Sequence, residues 1–450
     1  MMHYPPGPSD PLNIASLLDF RRNRKDFFMR CHEQYGDIAH TKFLNRDVYM
    51  LYDAEDIHNV IVRQASKLHK SPIAKQNLGR LLGNGLLTND GEDWRRQRKL
   101  AQPAFHMQRI ASYADVMVEY TQRAVERWQQ QTEIEAQEAM MHLTMEIVAK
   151  TLFDAEVSED ADDISRAVTT AIEVANRDIG SPLRSRLMQI PFPGNHHLQQ
   201  RNAAQQTLDN TIYRFIEDRR KLGEDKGDLL SMLMLATYED GTQMSTQQLR
   251  DEAITLFVAG HETTANALTW ALYLLAEHPN VHKKATMVVD GTIGSRPATM
   301  EDLRALEYIK MIVQESMRLY PPAWVFGRFT IEPVAVRDYT LAPGSAVVVS
   351  PYVLHRSPRY WNNPSDFVPE RFETHEDTLK AGYVPFGGGP RVCIGNSFAM
   401  MEMTLVLATL LQHFRFETVP GQEIEAVPLI TLRAKNGIRL RLLQRERVPA

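Results

Sequence analysis

Phe386-Gly387-Gly388-Gly389-Pro390-Arg391-Val392-Cys393-Ile394-Gly395 places one of only two cysteines at the end of a Gly-rich turn, directly ahead of an apolar helical pattern that runs to about His413. Glycines let the backbone turn closely around a sulfur atom with few side chains in the way. The helix that follows points free N–H groups and the positive end of its dipole at that sulfur. Both features favour a thiolate. No Cys or His stands at metal-finger spacing. A lone thiolate of this kind suits haem iron, where it pushes electron density toward O–O cleavage. Taken alone, the stretch also reads as a buried structural cysteine beside a turn, so the rest of the chain has to decide.

The 450 residues are 43% hydrophobic and 24% charged, ordinary for a globular enzyme with a large core. No Gly/Ser-rich linker, charge block or repeat divides them, and a single domain spanning 1–450 is expected. A net charge of −5 argues against general nucleic-acid binding. Two cysteines, Cys31 and Cys393, make no disulfide framework and fit a reducing cytoplasm. The stretch from Met1 to Pro11 lacks a signal-peptide core. The uncharged run Thr263 to Ala276 falls well short of the roughly 20 residues a transmembrane helix needs. A soluble, cytoplasmic, bacterial-type protein is expected.

Alternation around Ile38 to Tyr52, broken at Asn45-Arg46-Asp47, predicts a β-hairpin. From Glu55 to about Tyr320 the helical period dominates. Strands are predicted over Ala335 to Leu341 and Ala346 to Ser350, joined by Ala342-Pro343-Gly344. A last hairpin is signalled by Asn436-Gly437 between Leu429–Leu432 and Ile438–Leu440. The longest helix is predicted from Ser245, with Gln248 at capping-box spacing, to His278 before Pro279. It is apolar nearly all round from Ile254 to Ala276, and therefore buried on most faces.

Phe386-x-x-Gly389-x-Arg391-x-Cys393-x-Gly395 resembles the haem-binding loop of the cytochrome P-450 superfamily, the haem-thiolate monooxygenases. Three further signatures follow in the family's order, so the resemblance covers the chain from about Tyr35 to the final strands. The first is Ala259-Gly260-His261-Glu262-Thr263-Thr264, an acid and alcohols inside the buried helix. Burying them costs free energy unless they are paired or used. By resemblance Glu262 and Thr263 deliver protons to iron-bound dioxygen, while small Ala259 and Gly260 admit a flat cofactor. The alternative is Thr263 bonding back to a carbonyl with Glu262 in an ion pair; both can hold together. The zinc-peptidase pattern H-E-x-x-H is broken by Ala265.

The second signature joins Glu315 and Arg318, three apart on one helix face ahead of Pro321-Pro322, to Arg371 in Pro369-Glu370-Arg371-Phe372. The resemblance implies a buried ion network that supports the Cys loop. The third is Trp94-Arg95-Arg96-Gln97-Arg98, where by resemblance Trp94 and Arg98 bind haem propionates, joined by Arg328 and Arg391. His355 is a possible partner but better read as structural. Arg95, Arg96 and Lys99 are placed on other faces of that helix, a solvated basic surface or a dock for an acidic electron donor.

What the resemblance implies is a mainly α fold with small β-sheets. This is a triangular helical prism with haem between the long central helix and the Cys-loop helix. The cofactor is haem b, with Phe386 and Gly395 flanking the Cys393 ligand. The activity is insertion of one oxygen atom from O2 into an apolar substrate, a fatty acid or terpenoid. Electrons come from a ferredoxin or flavodoxin with an NAD(P)H-dependent reductase, since no redox domain fits beside a complete fold. Candidate pocket walls are Leu87, Ala259, Thr263, Trp324, Val325, Phe326 and Ile430, each equally explained by core packing. Apolar residues between Ile179 and Gly194 suggest a lid, and Arg46 a carboxylate partner or a plain surface arginine. A peroxide-driven peroxygenase and a non-catalytic haem-thiolate ligand binder are the competing readings. The acid–alcohol pair speaks against both.

Overall fold

The structure, a computed structural model, describes residues 3–9, 14–43, 46–157, 161–180, 195–238, 241–374 and 378–445. They are mainly helical with small sheets, and fall into two compact units. The first unit is Met1–Lys75 with Gln314–Cys393, the second Gln76–Val313 with Ile394–Ala450. No composition shift marks this division, because the first unit is assembled from two distant segments. No helix of the described residues is long and apolar enough to cross a membrane.

The first unit is built on a five-stranded sheet. Strands Ile38–Phe43 and Arg46–Leu51 form the expected hairpin, in register from Ile38 opposite Leu51 to Phe43 opposite Arg46. Arg46–Leu51 continues in parallel onto Ala346–Val349, which pairs antiparallel with Phe326–Thr330. The segment predicted as one strand, Ala335 to Leu341, is instead a tight hairpin of Val334–Val336 and Tyr339–Leu341. A straight strand would bring Asp338 and Thr340 to the face of Val334 and Val336. Turning at Arg337, whose φ is 49°, lets Val334, Val336 and Leu341 enter the same core. Arg337 then reaches Asp56 at 2.8 Å and Asp37 at 3.0 Å.

In the second unit the long helix is Thr246–Glu277, with Ser245 as the N-cap accepting from the Gln248 amide at 3.1 Å. It packs on the equally buried helix Ala136–Phe153 and on Asn396–His413. The predicted C-terminal hairpin is not formed by its two expected strands. Leu432–Ala434 pairs with Ala426–Pro428, whereas Arg439–Gln444 pairs with Phe414–Thr418 and Glu133–Glu135. The Asn-Gly turn is present, with Gly437 at φ 70°, but Glu135 captures the Ile438 amide at 2.6 Å and directs the chain to a different sheet.

Glu315 and Arg318 sit on helix Glu307–Leu319 and are both fully buried. Arg318 grips the carboxylate bidentately, Nε to Oε2 at 2.7 Å and Nη2 to Oε1 at 2.8 Å. Its other donors go to the carbonyls of His355, Pro364 and Asp366 at 2.7–2.9 Å. Arg371 Nε adds a bond to Glu315 at 3.1 Å, and the Val368 amide another at 2.9 Å. A charge removed from water is tolerated only when so fully bonded. Arg318→Ala would strip Glu315 of its bidentate partner and leave it buried with only Arg371 and the Val368 amide, and is expected to lower stability by about 3–5 kcal/mol in urea denaturation.

Candidate functional site

The Cys loop is held by its glycines in the first unit. Gly387 and Gly389 have φ of 71° and 66°, which L side chains rarely adopt. A Cβ on Gly389 would lie 2.2 Å from the Ile61 carbonyl oxygen, so the loop packs backbone to backbone. The Cys393 amide donates to the Phe386 carbonyl at 3.0 Å and closes the turn. Cys393 is exposed, whereas Cys31 is buried and its thiol is pushed up to about 12. The two thiols are thus separated into one accessible and one inert. Gly395 has an ordinary φ of −94° and is the N-cap of helix Asn396–His413. A Cβ there would meet only Phe105, at 3.6 Å.

Phe386 and Arg391 are half-buried on either side of the turn. On strand Phe326–Thr330, Arg328 donates to the Gly327 carbonyl at 2.9 Å and lies over the Phe326 ring at 5.3 Å. Phe326 therefore supports an arginine. Arg46 stacks similarly on Phe329 at 5.2 Å. Trp324, a candidate pocket wall, is 2% exposed and lies against Phe28 at 6.0 Å. Both residues precede strand Phe326–Thr330, and the neighbouring Val325 is half-buried. His355 is structural. Its Nε2 accepts the Val384 amide at 2.8 Å, and burial lowers its pKa to about 3, so the ring is neutral.

In the second unit, Trp94 and Arg98 on helix Gly91–Ala101 line an open groove of about 370 Å³ with Arg95, Lys99, Gln102, Pro103 and His106. Arg95 and Lys99, expected on other faces, border the same groove because they form the adjoining i,i+4 ridge. Arg95 also pairs with Glu92 at 2.9 Å, and Arg96 stacks over Tyr238 at 4.3 Å.

Between Leu249 and Leu272 the long helix is buried everywhere except at Ala259, Gly260 and Thr263. Thr263 Oγ1 donates back to the Ala259 carbonyl at 2.7 Å. Gly260 gives its missing side chain to Val148 on the neighbouring helix, where a Cβ would come within 3.2 Å. The notch is therefore bounded by Ala259 and Thr263. Glu262 Oε1 takes the Thr431 hydroxyl at 2.5 Å and Arg433 Nε at 2.8 Å, with Arg433 Nη2 at 2.6 Å. Asn266 bonds Thr431 in turn at 3.1 Å. Thr431 and Arg433 carry no local signal of this role in the sequence, because alternation marks strands, not partners 169 and 171 positions away. Ile430 is half-buried beside Thr431. Neighbouring His261 is fully buried against Phe257, and burial lowers its pKa to about 3. Leu87 is 40% exposed. The predicted lid residues 181–194 lie outside the described residues.

Among the described residues no group of three or more His, Cys, Asp or Glu could hold a metal ion. A lone exposed thiolate such as Cys393 suits an iron whose other ligands come with it, as in a porphyrin. Arg328 and Arg391 in the first unit, and Trp94 and Arg98 in the second, are donors of the kinds that suit propionate carboxylates. The donor set fits a haem.

Glu252, fully buried on the long helix, accepts the Leu86 amide at 2.9 Å. Burial, reinforced by Asp251, raises its pKa to about 8 against that bond. The unfolded chain would ionise Glu252 at about 4.3, so the folded state holds the extra proton between that pH and about 8. Stability should fall as pH rises through this window, by about 1.4 kcal/mol per unit from this group, and level off above. Denaturation of the wild type and Glu252→Gln across pH 5–8 checks it: the variant loses this slope.

A family model, Cytochrome P450, matches residues 5–438. Cyclooctatin synthase of Streptomyces melanosporofaciens is 35% identical over 429 residues, 94% of this chain and 92% of that protein. Cytochrome P450 4V2 of Homo sapiens is 32% identical, covering 96% and 88%. Pentalenene oxygenase of Streptomyces avermitilis is 30% identical, covering 93% and 92%. An exposed cysteine on a glycine-locked turn, the Glu315–Arg318–Arg371 network and the notch at Thr263 thus sit on a chain that belongs to the cytochrome P450 family and is a cytochrome P450 monooxygenase, for which the family implies a haem cofactor.

Proposed function

We propose that the chain, 1–450, works as one haem b domain that hydroxylates an apolar, terpenoid-like substrate. A separate ferredoxin or flavodoxin with its NAD(P)H-dependent reductase supplies the electrons. The observation that carries the reading is the exposed Cys393 on its locked turn. The substrate class is supported by relatives that oxidise terpenoids, together with half-buried apolar residues at Ala259, Val325 and Ile430. A fatty acid is the other apolar candidate.

Cys393 would hold the haem iron, with Phe386 and Gly395 beside the sulfur. Trp94, Arg98, Arg328 and Arg391 would bind the propionates, and Glu315, Arg318 and Arg371 would keep the loop in place. Bound haem supplies the activation of dioxygen, which a thiolate ligand favours. The Thr263 hydroxyl, now donating to Ala259, can turn to a molecule in the notch and hand over a proton. Arg433 and Thr431 hold Glu262 through Oε1. None of those three contacts uses Oε2, the atom through which this acid would exchange protons. Leu87, Ala259, Val325, Phe326 and Ile430 would exclude water.

The test is turnover of the haem-loaded protein with a ferredoxin, its reductase and a panel of terpenoid hydrocarbons and alcohols. Substrate-dependent NAD(P)H consumption yielding hydroxylated product supports the reading. Turnover with peroxide alone would assign a peroxygenase, and ligand binding without either a binder. Thr263→Ala should keep haem and substrate binding while most NAD(P)H is diverted to hydrogen peroxide; an unchanged product-to-NAD(P)H ratio would contradict its role.

A further inference from the structure

The turn from Gly83 to Thr88 is tied to the long helix at Asn84 and Leu86. Asp251 Oδ2 accepts the Asn84 amide at 2.8 Å, and Glu252 Oε2 accepts the Leu86 amide at 2.9 Å. Arg250 Nη2 donates to the Leu81 carbonyl at 3.0 Å. Two glycines let the strands of the turn press against the helix. A Cβ on Gly83 would lie 2.2 Å from the Asp251 carboxyl. One on Gly85 would lie 2.2 Å from Thr255 Oγ1 and 2.4 Å from the Asp251 carbonyl oxygen. The turn is closed internally by the Gly85 carbonyl, which takes the Thr88 and Asn89 amides at 3.0 Å. It is braced from behind by Gln97 Nε2 on the Asn84 carbonyl at 2.8 Å.

The two acids hold the turn differently. Asp251 has charged and polar support, Arg250 Nη1 at 3.0 Å and Gln247 Nε2 at 2.8 Å. Among the described residues Glu252 has the Leu86 amide alone, and its Oε1 is buried with no hydrogen-bond partner. Leu86 is buried by this attachment, while the next residue, Leu87, is left 40% exposed. Positions 252, 255, 259 and 263 rise one helical turn at a time along one side of the helix. The strap and the notch thus share one rigid element.

We propose that Asp251 and Glu252 are positioning residues for substrate selection, strapping the Gly83–Thr88 turn to the long helix so that Leu87 keeps a fixed place relative to the Ala259–Thr263 notch. The inference rests on the monooxygenase reading only in taking the notch as the place of the substrate. A mobile turn would admit ligands of many widths. A strapped one makes the size of residue 87 decisive.

Two measurements on the full chain test it. In the protein before haem loading, amide hydrogen exchange at Leu86 should speed up by about tenfold or more in Glu252→Leu. It should stay as in the wild type in Glu252→Gln, whose amide oxygen still accepts the bond. In the haem-loaded protein, affinities for imidazole and 4-phenylimidazole are read from the shift of the haem absorption band. Leu87→Phe should change the ratio of the two affinities by about tenfold in the wild-type background. In Glu252→Leu that effect should largely vanish, and in Glu252→Gln it should persist. Gly85→Ala, which pushes the turn off the helix without touching a titratable group, should act like Glu252→Leu and decides between the outcomes should that variant fail to fold. Additive effects of residues 87 and 252, or no faster exchange at Leu86, would overturn the proposal. Failure to bind haem would instead refute the proposed function, leaving the exchange result to test the strap.

Discussion

A reactive sulfur has to be held still without being covered, and the architecture of the loop before Cys393 follows from that requirement. Side chains normally fix a turn by packing around it, which would bury the thiol. Here the packing is done by backbone on backbone, Gly389 against the Ile61 carbonyl, with positive φ at Gly387 and Gly389. The sulfur stays exposed at the end of a segment that has little freedom to move. The chain ahead of the loop is joined to the Glu315–Arg318–Arg371 network through His355, which takes the Val384 amide on its ring and the Arg318 guanidinium on its carbonyl, and the two arginines clamp the carbonyls of residues 355 to 366. The network is costly to bury and cheap only when complete. That is a reason to find it as support and not in the chemistry.

The long helix presents the opposite problem, polar groups carried through an apolar interior. Each is neutralised in its own way. Glu262 is paired with Arg433, Glu252 keeps a proton, His261 stays neutral, and Thr263 bonds back to its own helix. Of these, only Thr263 keeps part of its surface uncovered, and its hydrogen bond is one a hydroxyl can exchange by rotation. The ion pair of Glu262 and the back-bond of Thr263 are the structural alternative that the motif allowed. They leave Glu262 Oε2 outside the contacts made by Arg433 and Thr431, and Thr263 on the part of the helix that is not fully covered.

Much of this is legible in the sequence where the signal is local. The Ser245 cap, the stop before Pro279 and the helix ending at His413 follow from capping chemistry and periodicity, and the structure has them at those residues. The network triad is readable because two members are three residues apart on one helix face. What escapes is set by distant partners. Arg433 on Glu262 and Glu135 on the Ile438 amide are 171 and 303 positions apart in the chain, and the second of these redirects the predicted C-terminal hairpin. Trp324 is buried and Val325 beside it half-buried, a difference that an apolar residue in an apolar stretch carries no mark of. Arg95 and Lys99 border the groove of Trp94 and Arg98, contrary to expectation, because neighbouring ridges of one short helix can line a single wide groove.

The proposed activity depends on Cys393, as thiolate, being the protein ligand of haem. The absorption spectrum of the reduced protein with carbon monoxide, recorded for the wild type and for Cys393→Ser, probes that bond with the fewest intervening steps. A Soret maximum at about 450 nm is expected for the wild type, with its loss in the variant. A wild-type band at about 420 nm in freshly reconstituted, folded protein, or an unchanged band at about 450 nm in Cys393→Ser, would contradict thiolate ligation by this residue.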